Sequence, residues 1–290
     1  MAEVSAALVK ELREKTGAGM MDCKKALDES KGNLEEAIEF LRKKGLAAAA
    51  KKAGRIAAEG SVVAFCDGKI GVILEVNSET DFVAKNDTFV GYANEMAELI
   101  AASKPADVDA FMSVKTKGGE TVEEYLNTMT AKIGEKLSLR RFVCVEGGTL
   151  ATYIHGAGKI GVVVKLEGGD EALAKDLCLH IAASNPKYLD SSFVDKDFVA
   201  KEEEIFAAKL KEQGKPDNMI PNIVKGQVAK LLKEVCLVSQ PFVKDPDTTI
   251  EKLLASKGAK IVSYTRFELG EGIEKKQENF VEEVMKQIKN

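Results

Sequence analysis

A chain of 290 residues with 45% hydrophobic and 30% charged side chains carries enough apolar material for about two packed units, which excludes disorder of the chain as a whole. Its formal net charge of -4, from 42 basic against 46 acidic residues, excludes a general basic footprint for nucleic acid, so no direct nucleic-acid binding is expected. The five cysteines, Cys23, Cys66, Cys144, Cys178 and Cys236, are widely spaced and form no C-x-x-C pair, which argues against a disulfide framework or zinc knuckle and for reduced thiols.

The sequence opens without a secretory apolar run, and no stretch approaches the ~18 consecutive apolar residues of a membrane span. The expectation is a cytoplasmic protein with no membrane partner.

Residues 1–54 read as three short helices. Val4, Leu8 and Leu12 sit at helical spacing before a turn at Thr16, Gly17, Ala18 and Gly19, and a second helix runs from Met20 to Glu29. After Gly32, Asn33 caps a third helix with Glu36 placed three residues on, as in a capping box, and Leu34, Ala37, Ile38 and Leu41 form its apolar stripe. The Ala and Lys stretch from Ala47 to Ala58 reads as a helical tether rather than core.

From Gly60 the period changes to that of strands. Ser61–Phe65, a turn at Asp67 and Gly68, and Ile70–Val76 predict a β-hairpin, followed by a helix from about Phe89 to Ser103. The plan returns as Thr149–Ile154, a Gly-rich turn, Ile160–Leu166 and a helix over Glu171–Ser184. Gly68-Lys69-Ile70-Gly71-Val72 parallels Gly158-Lys159-Ile160-Gly161-Val162, and Ile100-Ala101-Ala102-Ser103 parallels Ile181-Ala182-Ala183-Ser184, which marks an internal duplication. The strand offset is 160 - 70 = 90 and the helix offset 181 - 100 = 81, so the first copy holds nine extra residues. A segment of that length, Ser78 to Asn86, carries Phe82 among charged and small polar neighbours, and inserted loops on a duplicated scaffold are where function tends to sit.

The pattern between Asp190 and Cys236 predicts a helical hairpin turning at Gly214 and Pro216, with Lys- and Glu-rich faces suited to a protruding arm. Lys260–Leu269 reads as a late strand, and Ile273–Ile288 as a closing amphipathic helix.

Few residues suggest chemistry. Gly156-Ala157-Gly158-Lys159-Ile160-Gly161 matches G-x-G-x-x-G, but a dinucleotide fingerprint needs a helix after the loop, and here the β-branched run Val162–Val164 follows; a hairpin turn is the better reading. No P-loop string occurs. Of the two histidines, His180 lies next to core positions on a helix as a buried or partly buried neutral ring, and His155 stands at a hairpin tip as a turn residue or a partner contact. No catalytic residue, cofactor or metal ligand is assigned. Met20 and Met21 open a helix beside a Gly-rich turn, where thioethers serve either core packing or a protein-binding surface.

Thr16-Gly17-Ala18-Gly19-Met20-Met21-Asp22-Cys23-Lys24-Lys25-Ala26-Leu27 and Thr80-Asp81-Phe82-Val83-Ala84-Lys85-Asn86 resemble the signature stretches of the elongation factor Ts family. The likeness extends through Glu234–Leu237 and Gln240–Asp245 and covers essentially the whole chain.

That resemblance implies an α+β protein. Its parts would be a three-helix ubiquitin-associated-like domain over 1–54, a duplicated core with antiparallel sheets over 55–148 and over 149–189 with 237–270, a helical dimerisation arm over 190–236, and a C-terminal helical module over 271–290. It implies a guanine-nucleotide exchange factor for the GTPase elongation factor Tu that does no covalent chemistry. Asp81 and Phe82, flanked by Thr80 and Val83, would enter the GTPase; Met20 and Met21 would contribute from the N-terminal domain and His155 from the second half of the core. A homodimer through the arm is the further partner it implies.

Overall fold

The computed structural model describes residues 4–274. Helices α1 (Ala6–Thr16), α2 (Met20–Glu29) and α3 (Leu34–Lys52) pack around Val9, Leu12, Cys23, Ala26, Leu27 and Ala37. Ser5 caps α1 by accepting from the Leu8 N–H, and Gly17 ends it in the left-handed region at φ 64°, where a Cβ would be strained. Two local expectations change. Ile38 is exposed, because the inward arc of α3 is centred on Ala37, with Leu34, Phe40 and Leu41 packed at its edges. The reciprocal capping box is replaced. The Asn33 side chain accepts from the N–H groups of Glu35 and Glu36, but its own backbone N–H is already bonded to the Ser30 carbonyl, so the Glu36 carboxylate accepts from the Asn33 side-chain amide instead.

The first half of the core begins with β1 (Glu59–Cys66) and β2 (Ile70–Ser78), joined by the expected turn, in which the Asp67 carboxylate accepts from the Lys69 and Ile70 N–H groups. Then come α4 (Asp81–Ala84) and α5 (Asp87–Ser103). The stretch 104–148, for which the sequence pattern carried no assignment, holds α6 (Val108–Met112), α7 (Val122–Ile133) and β3 (Ser138–Glu146). The sheet order is β1-β2-β3, all antiparallel. Val63, Val72, Leu74 and Val76 meet Phe89, Tyr92, Met96 and Ile100 of α5 on one face.

The second half repeats the plan with β4 (Thr149–His155), β5 (Ile160–Glu167) and α8 (Glu171–Ser184). Two long helices, α9 (Lys196–Glu212) and α10 (Ile220–Val235), follow. A small hairpin of β6 (Pro241–Phe242) and β7 (Asp245–Thr249), then α11 (Ile250–Ser256), leads into β8 (Lys260–Glu268). The order is β4-β5-β8, antiparallel throughout. The duplication extends to irregularities: the β2·β3 register shifts between Glu75 and Val76, and the β5·β8 register shifts between Lys165 and Leu166, at the same 90-residue offset as the strands.

The two sheets face each other. Val62, Ile73, Val163 and Phe267 form the buried centre between them, with Val143, Val145 and Ile154 around it. The G-x-G-x-x-G string is explained here, since β5 rather than a helix follows the loop and the Gly158 carbonyl accepts from the Val62 N–H at 2.8 Å. A Cβ on Gly161 would collide with Val62, so this glycine permits close approach of the sheets.

Helices α9 and α10 form the expected hairpin and bury Leu210, Ile220, Val224 and Val228 between themselves. The Ala47–Ala58 stretch is not a free tether. α3 continues to Lys52 and lies along α7, Arg42 pairs with Glu124 across that contact, and Ala57 and Ala58 are buried. Small side chains let this helix pack closely: Gly45 faces Ala131 of α7. The predicted helix over Ile273–Ile288 falls almost wholly outside the described residues.

Candidate functional site

The inserted loop is built as a single helical turn presented outward. Thr80 caps α4, its hydroxyl accepting from the Val83 N–H at 3.4 Å, and Asn86 caps α5 by accepting from the Thr88 N–H at 2.8 Å. Between these caps the turn has two faces. Val83 and Ala84 pack onto the first core, whereas Phe82 points away and is 81% exposed. The ring is thus an apolar surface open to solvent at the tip of a turn whose other face is packed. The nine extra residues are divided, because α5 has 17 residues against 14 in α8; three lengthen the helix and the others precede it.

Asp81 lies beside the ring and accepts from Lys85 Nζ at 2.7 Å. That hydrogen bond, outweighing slight desolvation and helped by the charges of Lys85 and Lys159, lowers the Asp81 carboxyl below the ordinary aspartate value. Lys159 belongs to the β4–β5 turn, where its N–H bonds to the His155 carbonyl, so the two halves of the duplicated core bring the Phe82 loop and the His155 turn to one region. His155 is exposed, with Nδ1 3.1 Å from the Tyr153 hydroxyl.

Met20 and Met21 are 57% and 76% exposed at the start of α2, so neither packs in the core of the three-helix module. The module that carries them meets α7, where Gly17 comes near the Lys132 side chain, and the residues that follow α7 grip the loop.

Those gripping residues were not legible in the sequence. Glu135 accepts from the Thr80 N–H at 2.9 Å and from the Thr80 hydroxyl at 2.7 Å. In turn, Glu79 accepts from the Lys136 N–H at 2.6 Å and from Arg55 at 3.2 Å. Lys136 Nζ donates to the carbonyls of Ala53 and Arg55, tying the end of α3 to the same point. Partners more than fifty residues apart leave no periodic or motif signal.

Elsewhere, His180 is fully buried as expected. Its Nδ1 accepts from the Val243 N–H at 3.3 Å, which leaves Nε2 to donate to the Gln240 carbonyl oxygen at 2.8 Å, and burial lowers its pKa. All five cysteines are free. Among the described residues no cluster of His, Cys, Asp and Glu could hold a metal ion, and no helix is long and apolar enough to cross a membrane.

Comparison with known proteins agrees with the resemblance. The family profile described as "Elongation factor TS" matches residues 79–271, a span that begins at the Phe82 loop and ends beside Gly270. A protein named elongation factor Ts from Thioalkalivibrio sulfidiphilus is 54% identical over 99% of both chains. Those of the same name from Lacticaseibacillus casei and Methylococcus capsulatus are 50% identical over 100% of both chains and 51% identical over 99% of both. With the match running through both halves of the core and through the exposed aromatic turn, the chain belongs to the elongation factor Ts family of translation elongation proteins.

Proposed function

We propose that this protein binds the GTPase elongation factor Tu in its GDP state and promotes release of the nucleotide, with no covalent chemistry and no cofactor of its own. The observation that carries this reading is Phe82, ordered and solvent-exposed on a turn whose other face is anchored in the core. GDP on such a GTPase is held by backbone N–H groups around the phosphates and by Mg²⁺. A factor that binds the empty GTPase more tightly than the loaded one weakens nucleotide binding by the same factor, because linkage is reciprocal. Burial of Phe82 in the partner would contribute roughly 1.5 to 3 kcal/mol toward a displaced helix or loop that no longer supports the Mg²⁺. Asp81 would bond that displaced element, Thr80 and Val83 would set the turn, and Met20, Met21 and His155 would add contact area. GTP then rebinds by mass action.

Within this reading the three helices up to residue 54 act as a ubiquitin-associated-like domain that grips the GTPase, the sheets and their helices over 55–148 and over 149–189 with 237–270 are the two core subdomains, and residues 271–290 are a further contact module in the cytoplasm. Residues 190–236 serve as a dimerisation arm: their hairpin satisfies most of its apolar stripe internally yet leaves Ile205 and Met219 exposed for a second copy. Light scattering of the pure protein decides the dimer. Exchange itself is decided by stopped-flow release of fluorescent GDP from elongation factor Tu. Phe82→Ala is expected to lower the stimulated rate at least tenfold, the equivalent of about 1.4 kcal/mol. Release as fast as with the parent protein would remove the wedge mechanism.

A further inference from the structure

We infer that Glu135 is a positioning residue for exchange: its carboxylate holds Phe82 in the exposed pose before the partner arrives. The inference rests on the exchange reading above and names a residue outside the loop that acts on it.

Four observations converge. Both carboxylate oxygens of Glu135 are used on one residue, accepting from the N–H and the hydroxyl of Thr80. That hydroxyl is also the cap of the Phe82 turn, since it accepts from the Val83 N–H while donating to Glu135, so a single chain of hydrogen bonds runs from the carboxylate into the turn. Gly134, in the left-handed region at φ 88°, ends α7 and lets the chain reverse so that Glu135 reaches the loop. The neighbouring pair repeats the grip in the opposite sense, with the Lys136 N–H donating to Glu79. Two consecutive loop residues are therefore held by two consecutive residues after α7.

The physical role follows from the exposure of the ring. Phe82 gains little from its own chain in this pose, so without the clamp the N-terminal end of the turn loses its main restraint against collapse of the ring onto nearby apolar surface or fluctuation of the turn. A turn fixed in advance loses less conformational entropy when it inserts. Other contact surfaces supply most of the affinity in the exchange reading, so loosening the turn should affect the insertion step more than the docking step.

The chain contains no tryptophan, so Phe82→Trp introduces a single reporter. In the free protein, adding Glu135→Gln to this reporter is expected to lower its fluorescence anisotropy, because glutamine replaces one acceptor oxygen with a donor and cannot accept both Thr80 bonds. In the Phe82 background, Glu135→Gln is expected to lower the saturating GDP-release rate about tenfold and to shift the half-saturating concentration less than about threefold. Unchanged anisotropy together with an unchanged saturating rate for Glu135→Gln overturns the inference. Should Glu135→Gln fail to fold, Thr80→Val removes the hydroxyl half of the clamp and is held to the same two readouts. If instead Phe82→Ala is as fast as the parent, the wedge mechanism on which the inference rests fails, and the anisotropy of the free protein still decides the clamp.

Discussion

The carboxylate of Glu75 in β2 accepts a 2.8 Å hydrogen bond from the backbone N–H of Gly270, 195 residues further along the chain. Glu75 is fully buried and also receives Arg140 at 2.9 Å and Arg141 at 2.6 Å. Arg141 stacks over Phe267 of β8 at 4.3 Å and donates to the Glu268 carbonyl, while Arg140 donates to the Glu271 carbonyl. One acidic side chain thereby ties the first sheet to the end of the last strand of the second. The equivalent position in the second sheet, 90 residues on, is Lys165, so the duplication broke its symmetry at this buried point.

Burial alone would raise the Glu75 carboxyl, but the Gly270 N–H and the two arginines outweigh it and hold it below the ordinary value of 4.5. A lowered folded-state pKa means that this contribution is complete above the unfolded value and is lost as pH falls through the folded one. Glu75→Gln is expected to destabilise the protein by about 2 to 4 kcal/mol at pH 7, since two arginines lose a buried partner. Urea unfolding at pH 7 and pH 4 should show the difference between variant and parent narrowing at the lower pH.

Gly161 and Gly71 occupy matching places in the two sheets but not matching space. A Cβ on Gly161 would overlap Val62, whereas one on Gly71 would meet the Val163 side chain at 3.1 Å, a distance that a small shift relieves. Gly161→Ala should therefore cost about 1 to 3 kcal/mol and Gly71→Ala under about 1. Thermal unfolding of the two variants side by side checks the order. Calorimetry of the parent protein with a dinucleotide should give no heat, in keeping with the turn-and-strand context of the glycine string.

Exposure separates binding from stability at Met20 and Met21. Replacing both with serine should leave the unfolding free energy within about 0.5 kcal/mol of the parent, as surface changes usually do. Affinity for elongation factor Tu measured by calorimetry should fall about tenfold if these thioethers are buried on binding. A loss of stability with no loss of affinity would assign them to packing.

His180 supplies a pH signature. Its pKa is lowered by burial, partly offset by the Gln240 bond, so the unfolded state takes up a proton at higher pH than the folded state does. Stability should decline as pH falls below about 6.5, by at most roughly 1.4 kcal/mol per unit for this group. In His180→Gln that part of the decline should vanish between pH 7 and 5.5, as read from urea unfolding at each pH.

The duplicated strand–turn–strand–helix plan, the helical hairpin and the exceptional character of the Thr80–Asn86 segment were all legible in the sequence, because period, turn chemistry and literal repetition are local signals. Phe82 stood out for the same reason, as an aromatic among residues that could not bury it. What only the tertiary structure decided is how that residue is held. The Glu135 and Lys136 grip, the third strand of the first sheet, the α3 contact with α7 and the Glu75 latch join residues tens to nearly two hundred positions apart. Such pairings arise when packed elements bring side chains together in space, and no spacing along the chain encodes them.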